Sequence, residues 1–198
     1  MIVLAGRNLA KMEAAKAELD ELGVESYLCK TDIADRAQVQ ALADYAASLG
    51  DVTQVIHTSG VSPSDTATEN IIRINAAGTV NMVEAFYLVL AGGGVMINFS
   101  SVAAYTMPQT DEWSQAFEAW NEPDFYDRLL TPMHQKLIDN QPETAENQLE
   151  LIPAGRWGHP YEMGALTAFL CSSGAGYING VDILADGGQN AGVFVPQI

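Results

Sequence analysis

Short apolar segments alternate with amphipathic segments through the first half of the chain. The apolar segments are bounded by glycine or by small polar residues, which is typical of strands buried in a parallel sheet. The segments between them repeat apolar residues at helical spacing. This alternation predicts an α/β fold, a doubly wound parallel sheet with helices on both faces. The predicted strands are Ile2–Gly6, Ser26–Lys30, Gln54–His57 and Gly92–Ser101.

The segments between the predicted strands carry helix start and stop signals. Asn8 and Asp35 stand where the first two helices begin, and their side chains suit the N-cap position. Gly23 and Gly50 stand where the same helices end, which is the usual place for a glycine stop. The third helical pattern is longer and runs from about Thr68 to Leu90. The pattern therefore predicts three helices connecting four strands.

The second half of the chain has a different pattern. Over about residues 107–148 it is polar, rich in acids, amides and proline, and no strand is predicted there. A regular pattern returns with a helix that begins at Pro160, a residue favoured in the first helical turn. A last strand is predicted at Val181–Leu184. We therefore expect one domain over residues 1–198 that carries a polar insertion.

Composition narrows the class of protein. The chain has 198 residues, of which 48% are hydrophobic and 17% charged, so it is long enough and apolar enough to bury a core. Its formal net charge of -16 argues against nucleic acid and anionic membrane surfaces as partners. The two cysteines, Cys29 and Cys171, form no CxxC pair, which favours a reducing compartment over a disulfide framework or a zinc site. No apolar run approaches membrane-spanning length, so we expect a cytoplasmic protein.

Two serines mark the first candidate site. Ser100 and Ser101 follow the apolar run Val95–Phe99. In an open α/β sheet, ligands bind beyond the carboxyl ends of the strands, where these hydroxyl groups are expected to lie. A serine pair at a strand end also fits a solvated turn. The pair by itself leaves both interpretations open.

Further segments occur in a particular order along the chain, and together they resemble a known family. They are Asp32-Ile33, His57-Thr58-Ser59-Gly60, Asn75 with Gly78, Ile97-Asn98-Phe99-Ser100-Ser101, Thr131-Pro132-Met133, Pro153–Gly158 and Asp182–Gly188. In this set the chain resembles the short-chain dehydrogenases/reductases, NAD(P)-dependent oxidoreductases with a Rossmann-type sheet. The polar insertion and the tail after Gly188 look most like the 3α-hydroxysteroid dehydrogenase/carbonyl reductase group.

The resemblance implies catalytic roles for Ser101 and Asn75. The oxygen of a carbonyl group gathers negative charge while it is reduced, and a hydroxyl donor such as Ser101 can stabilise that charge. Asn75 would hold a water or a backbone group that relays the proton. A helix kink or a local side-chain hydrogen bond is the alternative interpretation of Asn75.

The resemblance also implies a set of cofactor-binding residues. The Asp32-Ile33 pair matches the segment that receives the adenine, although Asp32 also suits a turn-capping position. His57 replaces an asparagine of the family turn, and we interpret it as a backbone-contact position rather than as a general base or metal ligand. Thr131 matches a threonine that meets the nicotinamide side. The other cofactor-binding residues that the resemblance implies in this turn are Ser59 and Gly60.

Arg7 bears on which cofactor is used. It lies just past the strand Ile2–Gly6, and no acid stands at the end of that strand. An acid there would bind the ribose hydroxyls of NAD, whereas an arginine suits the 2′-phosphate of NADP. A solvated arginine explains the same residue. We expect NADP, with NAD as the alternative.

Two features of the family are absent from the sequence. The chain has no Gly-x-x-x-Gly-x-Gly turn, which in the family precedes the segment that matches Ile2–Gly6 and holds the pyrophosphate. No tyrosine has a lysine four residues later, so the catalytic Tyr-x-x-x-Lys pair is missing as well. The resemblance therefore implies a truncation before Met1 and a deletion near Leu130. It also implies an incomplete Rossmann-type sheet of about five strands.

These observations leave several functions open. The first is hydride transfer between a nicotinamide cofactor and an alcohol or carbonyl substrate, with a steroid among the candidates. The second is a non-catalytic relative that binds a nucleotide or pairs with a complete subunit, or an inactive partial gene product. A third is a rescue in which Tyr105 or Tyr126 transfers the proton. We also expect a homo-oligomer formed through the helix at residues 68–90, by resemblance to the family.

Overall fold

The computed structural model describes residues 1–62, 66–101, 103–106, 110–122, 124–129 and 151–190. These residues divide into two compact units. The first unit takes Met1–Phe99 and the described residues from Asp111 to Leu129. The second takes the described residues after Phe99 up to Thr110, together with residues 151–190. Thr131 lies outside the described residues, as does most of the polar insertion.

The first unit holds four parallel strands in two pairs. Strands β1 (Ile2–Gly6) and β2 (Ser26–Lys30) pair in parallel, as do β3 (Val52–His57) and β4 (Leu90–Asn98). Within the described residues the two pairs form separate two-stranded sheets. The predicted α/β fold with parallel strands is confirmed. Over the residues that the structure describes, four strands are observed where about five were expected.

Helices follow the strands as the sequence predicts. Asn8 caps α1 by accepting a hydrogen bond from the Lys11 backbone at 3.1 Å, and Asp35 caps α2 by accepting from the backbones of two residues in its first turn. Gly50 ends α2. The third helical region is divided, because a π-helical segment separates two α-helices. The helical elements of this part are α1 (Leu9–Glu21), α2 (Arg36–Leu49), α3 (Thr68–Ile71), the π-helical segment (Ile72–Ala77) and α4 (Gly78–Tyr87).

The prediction for the boundary between α4 and β4 was wrong. The helix ends at Tyr87, and β4 begins at Leu90 rather than at Gly92. Leu90 pairs with Val52 across the sheet, and the regular register then resumes further along both strands. The extra residues form an irregularity that includes Gly93, whose φ of 81° suits glycine. The glycine run therefore lies inside the strand as a bulge and does not separate the strand from the helix.

One apolar core serves both strand pairs. Its buried residues come from the segment between β2 and α2, from α2 and β3, and from the π-helical segment and α4, and partly buried residues of all four strands pack against them. This core holds the amphipathic faces of the helices against the sheets. The buried members are Ile33, Val39, Leu42, Ala43, Val55, Ile74, Met82, Ala85 and Phe86.

The prediction of a strand at Val181–Leu184 was also wrong. These residues have no regular structure, and Val181 is 58% exposed. No strand is present among the described residues of the second unit. A strand needs a partner for its backbone N–H and C=O groups, so an apolar alternation without one stays irregular. The second unit contains α5 (Ala103–Thr106), α7 (Pro160–Leu170) and a 3₁₀ turn (Ser173–Ala175), whereas α6 (Asp111–Glu118) belongs to the first.

In the part of the chain that the structure describes, no helix is long and apolar enough to cross a membrane.

Candidate functional site

Two candidate cofactor residues follow the carboxyl ends of β1 and β2. Arg7 comes directly after β1 and is exposed. Asp32 follows β2 and is half-buried, and its Oδ1 accepts a hydrogen bond from the Ala34 backbone at 3.0 Å. The Asp32 backbone N–H donates to Oε1 of Gln38 at 3.0 Å. Asp32 therefore forms the turn that leads into α2, in line with the turn-capping interpretation.

Ile33 packs into the core. Its side chain is 8% exposed. A Cβ atom added at Gly78 would stand 2.9 Å from Cγ1 and Cδ1 of Ile33, so the absence of a side chain there gives Ile33 its space. The backbone oxygen of Ile33 accepts a hydrogen bond from Asn81 Nδ2 at 2.9 Å. The position of Ile33 is thus fixed by α4, and its contact with an adenine stays a prediction.

His57 ends β3 with its side chain inside the protein. The side chain is 3% exposed, and Nε2 lies 3.2 Å from Oγ1 of Thr79 in α4. Burial lowers the pKa of His57 below its ordinary value of 6.5, which favours the neutral imidazole. The three residues that follow in the turn, Thr58, Ser59 and Gly60, are exposed. His57 anchors the start of the turn, and the turn itself faces solvent.

Asn75 holds the other end of this turn. Its Oδ1 accepts a hydrogen bond from the Val61 backbone N–H at 2.9 Å, and its Nδ2 donates to the Val61 backbone oxygen at 2.8 Å. Asn75 sits in the π-helical segment, a distortion that is frequent at functional sites. The alternative of a helix distortion with a local side-chain bond therefore describes part of what Asn75 does. The same two bonds place the amide group beside the candidate cofactor turn.

Ser101 belongs to the second unit. It follows β4, is exposed, and its backbone oxygen accepts a hydrogen bond from the Ala104 backbone N–H at 3.1 Å. All the other described candidates belong to the first unit. The first unit therefore brings the candidate cofactor residues and Asn75 into one compact region.

The structure adds Thr79, a residue that the sequence analysis missed. Its hydroxyl group donates a hydrogen bond to the Asn75 backbone oxygen at 2.8 Å and also contacts His57. The signal for it was its position four residues after Asn75, since residues at this spacing share one helix face. Thr79 connects two candidates that stand far apart in the sequence.

The two tyrosines considered for proton transfer have other partners. The Tyr105 hydroxyl donates a hydrogen bond to the Asp182 carboxylate, and this bond raises the pKa of Tyr105. A general base needs the opposite change, so the contact disfavours that role. The Tyr126 hydroxyl lies 3.4 Å from the Glu69 backbone oxygen. Neither arrangement resembles a tyrosine activated by a lysine.

Models of two related protein families match the chain. The model described as short chain dehydrogenase matches residues 1–114. The model described as enoyl-(acyl carrier protein) reductase matches residues 128–190. Together the two matches span most of the sequence.

Curated relatives include several dehydrogenases. A D-threitol dehydrogenase of Mycolicibacterium smegmatis is 30% identical, and the match covers 91% of this chain and 80% of the relative. A gluconate 5-dehydrogenase of Gluconobacter oxydans is 23% identical, with 94% and 84% covered. The relatives are diverse and are not specifically hydroxysteroid dehydrogenases, so the finer resemblance to that group lacks support.

Solved structures match the fold at lower sequence identity. A short-chain dehydrogenase/reductase of Brucella melitensis has a TM-score of 0.68 at 17% identity, covering 94% of this chain and 84% of its own. A gluconate 5-dehydrogenase of Burkholderia cenocepacia, in complex with NADP and tartrate, has a TM-score of 0.68 at 21% identity, with 96% and 85% covered. These similarities identify the Rossmann-like architecture.

Proposed function

The chain belongs to the short-chain dehydrogenase/reductase family, and on that basis we propose that its candidate turn binds NADP(H) for the reduction of a carbonyl or oxidation of an alcohol. Members of this family are oxidoreductases that use NAD(P). The proposal for this chain concerns which of its own residues hold the cofactor and the substrate oxygen.

The exposed turn at the end of β3 is the observation that carries the proposal. His57 fixes the start of this turn through Thr79, and Asn75 fixes its end through two hydrogen bonds to Val61. Between these anchors, Ser59 and Gly60 are exposed. A turn that is rigid and solvent-facing can bind a ligand without first being ordered, which favours affinity. Its place after a parallel strand is where α/β folds bind nucleotides.

Arg7 and Asp32 supply the adenosine side of the proposed site. Arg7 is exposed at the end of β1, so its guanidinium group is available to a 2′-phosphate. Asp32 uses Oδ1 for its own turn, and its backbone is fixed by Gln38. Ile33 supports the same segment from the core. We assign NADP rather than NAD to the site because Arg7, and no acid, follows β1.

The sequence match to the family segments, rather than a contact in the structure, assigns the reacting side to Ser101 and Thr131 in this proposal. NADPH provides the hydride when bound. The Ser101 hydroxyl would donate a hydrogen bond to the substrate oxygen as hydride addition places negative charge there, and the resulting alkoxide would take its proton from water. Asn75 retains its bonds to Val61 and shapes the adjoining turn. Thr131 takes the nicotinamide side by its match to the family segment.

A second candidate function is cofactor binding without turnover. The sequence has no Tyr-x-x-x-Lys pair, and the hydrogen bond to Asp182 raises the pKa of Tyr105. The alignments also favour an internal loss, since those with two of the relatives extend over 214 and 239 residues while this chain has 198. The relatives therefore carry residues inside the matched region that have no counterpart here. A chain without the proton donor would bind the cofactor and pair with a complete subunit.

The names of the relatives support a proposal for the substrate class. Relatives at 23–30% identity are named for threitol, gluconate and galactitol dehydrogenation. We propose a polyhydroxylated alcohol or sugar acid in preference to a steroid. A turnover assay with threitol, gluconate and a hydroxysteroid separates these classes.

Two further properties belong to this proposal. A second copy of the chain would dock on the end of α4, where Tyr87 and Leu88 are exposed, and light scattering of Tyr87→Glu against the unchanged chain tests this. Neither Cys29 nor Cys171 forms a disulfide bond, which suits the reducing cytoplasm.

The first experiment is a fluorescence titration of the purified chain with NADPH and with NADH. We expect saturable NADPH binding, and about tenfold weaker NADPH binding in Arg7→Ala, because a charge-assisted contact to the phosphate is lost. Arg128→Ala removes the same charge from a residue paired with Asp124 and serves as the matched control. Equal loss in both variants would assign the effect to net charge alone.

Turnover is measured next with the same protein. NADPH binding with substrate reduction supports the oxidoreductase, and binding without reduction supports the second candidate. A folded chain that binds neither dinucleotide would overturn the proposed cofactor site.

A further inference from the structure

Four hydrogen bonds form one continuous connection between β3, α4 and the candidate turn. His57 Nε2 lies 3.2 Å from Thr79 Oγ1, and Thr79 Oγ1 lies 2.8 Å from the Asn75 backbone oxygen. The Asn75 side chain then bonds both backbone groups of Val61, at 2.9 and 2.8 Å. The turn that begins at His57 and ends at Val61 is therefore attached at both ends to one short stretch of helix, residues 75–79.

The hydroxyl of Thr79 determines which group donates and which accepts in each of its hydrogen bonds. A hydroxyl group has one hydrogen, and the carbonyl oxygen of Asn75 can only accept. The shorter of the two contacts, to Asn75, takes that hydrogen. The Thr79 oxygen must then accept from His57, so His57 carries its proton on Nε2. Burial of the ring lowers the pKa of His57 and favours the neutral form, in which Nδ1 is bare.

The backbone of His57 is fixed independently. Its Cα pairs with that of Asn98 in β4, and its backbone oxygen accepts a hydrogen bond from the Phe99 backbone N–H at 2.9 Å. The imidazole therefore joins a fixed strand end to the distorted helix. The π-helical segment turns Asn75 toward Val61, and Thr79 lies one turn later, at the start of α4.

We propose that His57 and Thr79 are positioning residues, which act through an Nε2–H tautomer of His57 to hold Asn75 and the turn from His57 to Val61 in the form that receives the cofactor. This inference rests on the proposed function in one respect, because the turn is taken as the cofactor site. Neither residue needs to touch the cofactor. They determine how much of the turn is ordered before the cofactor arrives, and thus its affinity.

The affinity test uses pairs of variants. Thr79→Val keeps the shape and removes the hydroxyl together with both of its hydrogen bonds, and we expect it to weaken NADPH binding about three- to tenfold because the turn is then less well ordered before binding. Thr79→Ser keeps the hydroxyl and should bind within about twofold of the unchanged chain. Thr167→Val removes the same kind of bond, Thr167 Oγ1 to the Met163 backbone oxygen, from α7 and should leave NADPH affinity unchanged.

The role of His57 is tested with two replacements whose side chains differ in length. Glutamine places an amide N–H at the position of Nε2, as many bonds from Cα as in histidine. Asparagine is one bond shorter and places its amide at the position of Nδ1. We expect His57→Gln to retain affinity and His57→Asn to lose about as much as Thr79→Val.

Two measurements on the protein without cofactor test the connection directly. Nitrogen NMR of the histidine side chains should show a protonated Nε2 and a bare Nδ1 for the resonance that disappears in His57→Gln. Amide hydrogen exchange at Val61 should become faster in Thr79→Val. Exchange at Val39 in α2, whose N–H donates to the backbone oxygen of Asp35, should stay unchanged.

The outcomes separate the two proposals. A protonated Nδ1 with bare Nε2, or unchanged Val61 exchange in Thr79→Val, overturns the positioning roles of His57 and Thr79. If the unchanged chain does not bind NADPH, the cofactor site fails, while the tautomer and the exchange rates still decide whether the connection exists. If NADPH binds and Thr79→Val binds it equally well, the site stands and the positioning role falls.

Discussion

The two compact units differ in how much apolar surface they bury. The first has a core to which both strand pairs, α2 and α4 contribute. In the second, α7 is the longest helix described, and none of its residues, all of which are described, is buried. A lack of apolar residues in the second unit does not explain this difference in burial, because α7 is rich in them and includes Phe169 and Leu170. A helix buries its apolar face only where another layer covers it.

The sheet accounts for this difference. In the first unit the strand pairs supply a surface on which the helices pack. In the second, Val181 and Ile183 have the alternation of a strand but stay exposed, at 58% and 41%, with no strand beside them among the described residues. Hydrophobic patterning therefore forms a core in one region and leaves exposed apolar residues in the other.

The largest expected effect compares two phenylalanines. Phe86 in α4 is 5% exposed, whereas Phe169 in α7 is 47% exposed. We expect Phe86→Ala to lower the free energy of unfolding by about 3–5 kcal/mol, because it removes buried apolar area and leaves a cavity. We expect Phe169→Ala to lower it by less than about 1 kcal/mol. Urea denaturation followed by circular dichroism measures both values.

Phe86→Leu covers the case in which Phe86→Ala does not fold. It retains most of the volume and should lower the free energy of unfolding by about 1–1.5 kcal/mol. Similar losses for Phe86→Ala and Phe169→Ala would contradict the contrast between the units.

A smaller effect compares two helical glycines. A Cβ atom at Gly78 in α4 would stand 2.9 Å from two side-chain carbons of Ile33, and nothing lies within 4 Å of one at Gly164 in α7. We expect Gly78→Ala to lower the free energy of unfolding by about 1–3 kcal/mol through overpacking. Gly164→Ala should raise it by about 0.5–1 kcal/mol, because alanine favours the helix. The midpoints of thermal and urea unfolding measure both changes.

Shortening the side chain of Ile33 is the control for Gly78→Ala. Ile33→Val in the Gly78→Ala background should recover part of the loss, since it removes one of the two crowded carbons. A stabilising Gly78→Ala would mean that Ile33 does not need the space that glycine leaves.

The smallest expected effect is the response to acid. Burial lowers the pKa of His57 in the first unit, so between the ordinary value of 6.5 and its lower folded-state pKa the unfolded chain binds the additional proton. The free energy of unfolding therefore falls as the pH drops below about 6.5. In the second unit the Arg156 guanidinium and the His159 backbone N–H lower the pKa of Glu162 to about 2. Its contribution is present above its ordinary value of 4.5 and is lost between that pH and about 2.

Urea denaturation at a series of pH values separates the contribution of His57 to the free energy of unfolding from that of Glu162. His57→Gln should flatten the fall in the free energy of unfolding below about pH 6.5. Glu162→Gln should have a lower free energy of unfolding with the same pH slope as the unchanged chain between about pH 6.5 and 4.5, and the two should converge in stronger acid. An unchanged slope in His57→Gln would mean that its imidazole takes up protons equally easily in both states.

Much of the first unit was predictable from local signals. The strands at Ile2–Gly6 and Ser26–Lys30 and the caps at Asn8 and Asp35 were predicted as observed, because propensity, capping and burial agree there. The start of β4 was not predictable, since the glycines before Val95 read as a break. Whether a glycine run breaks a strand or bulges within it depends on the partner strand.

The candidate site was also predictable from the sequence only in part. The family motifs identified Asn75, His57 and the exposed turn from the sequence. That Asn75 bonds Val61, and that Thr79 links Asn75 to His57, required contacts between residues up to 22 positions apart. Spacing along one helix placed Thr79 near Asn75, but nothing in the sequence placed it beside His57.

The sequence by itself determined the order of strands and helices, the family, and the residue types at the ends of the strands, because these depend on short-range pattern and motif. Only the tertiary structure decided that the four described strands form two pairs, that Val181–Leu184 stays irregular, and that hydrogen bonds join His57, Thr79 and Asn75. The physical reason is that a backbone hydrogen bond or a buried imidazole needs a partner from elsewhere in the chain, and the presence of that partner is a property of the folded molecule.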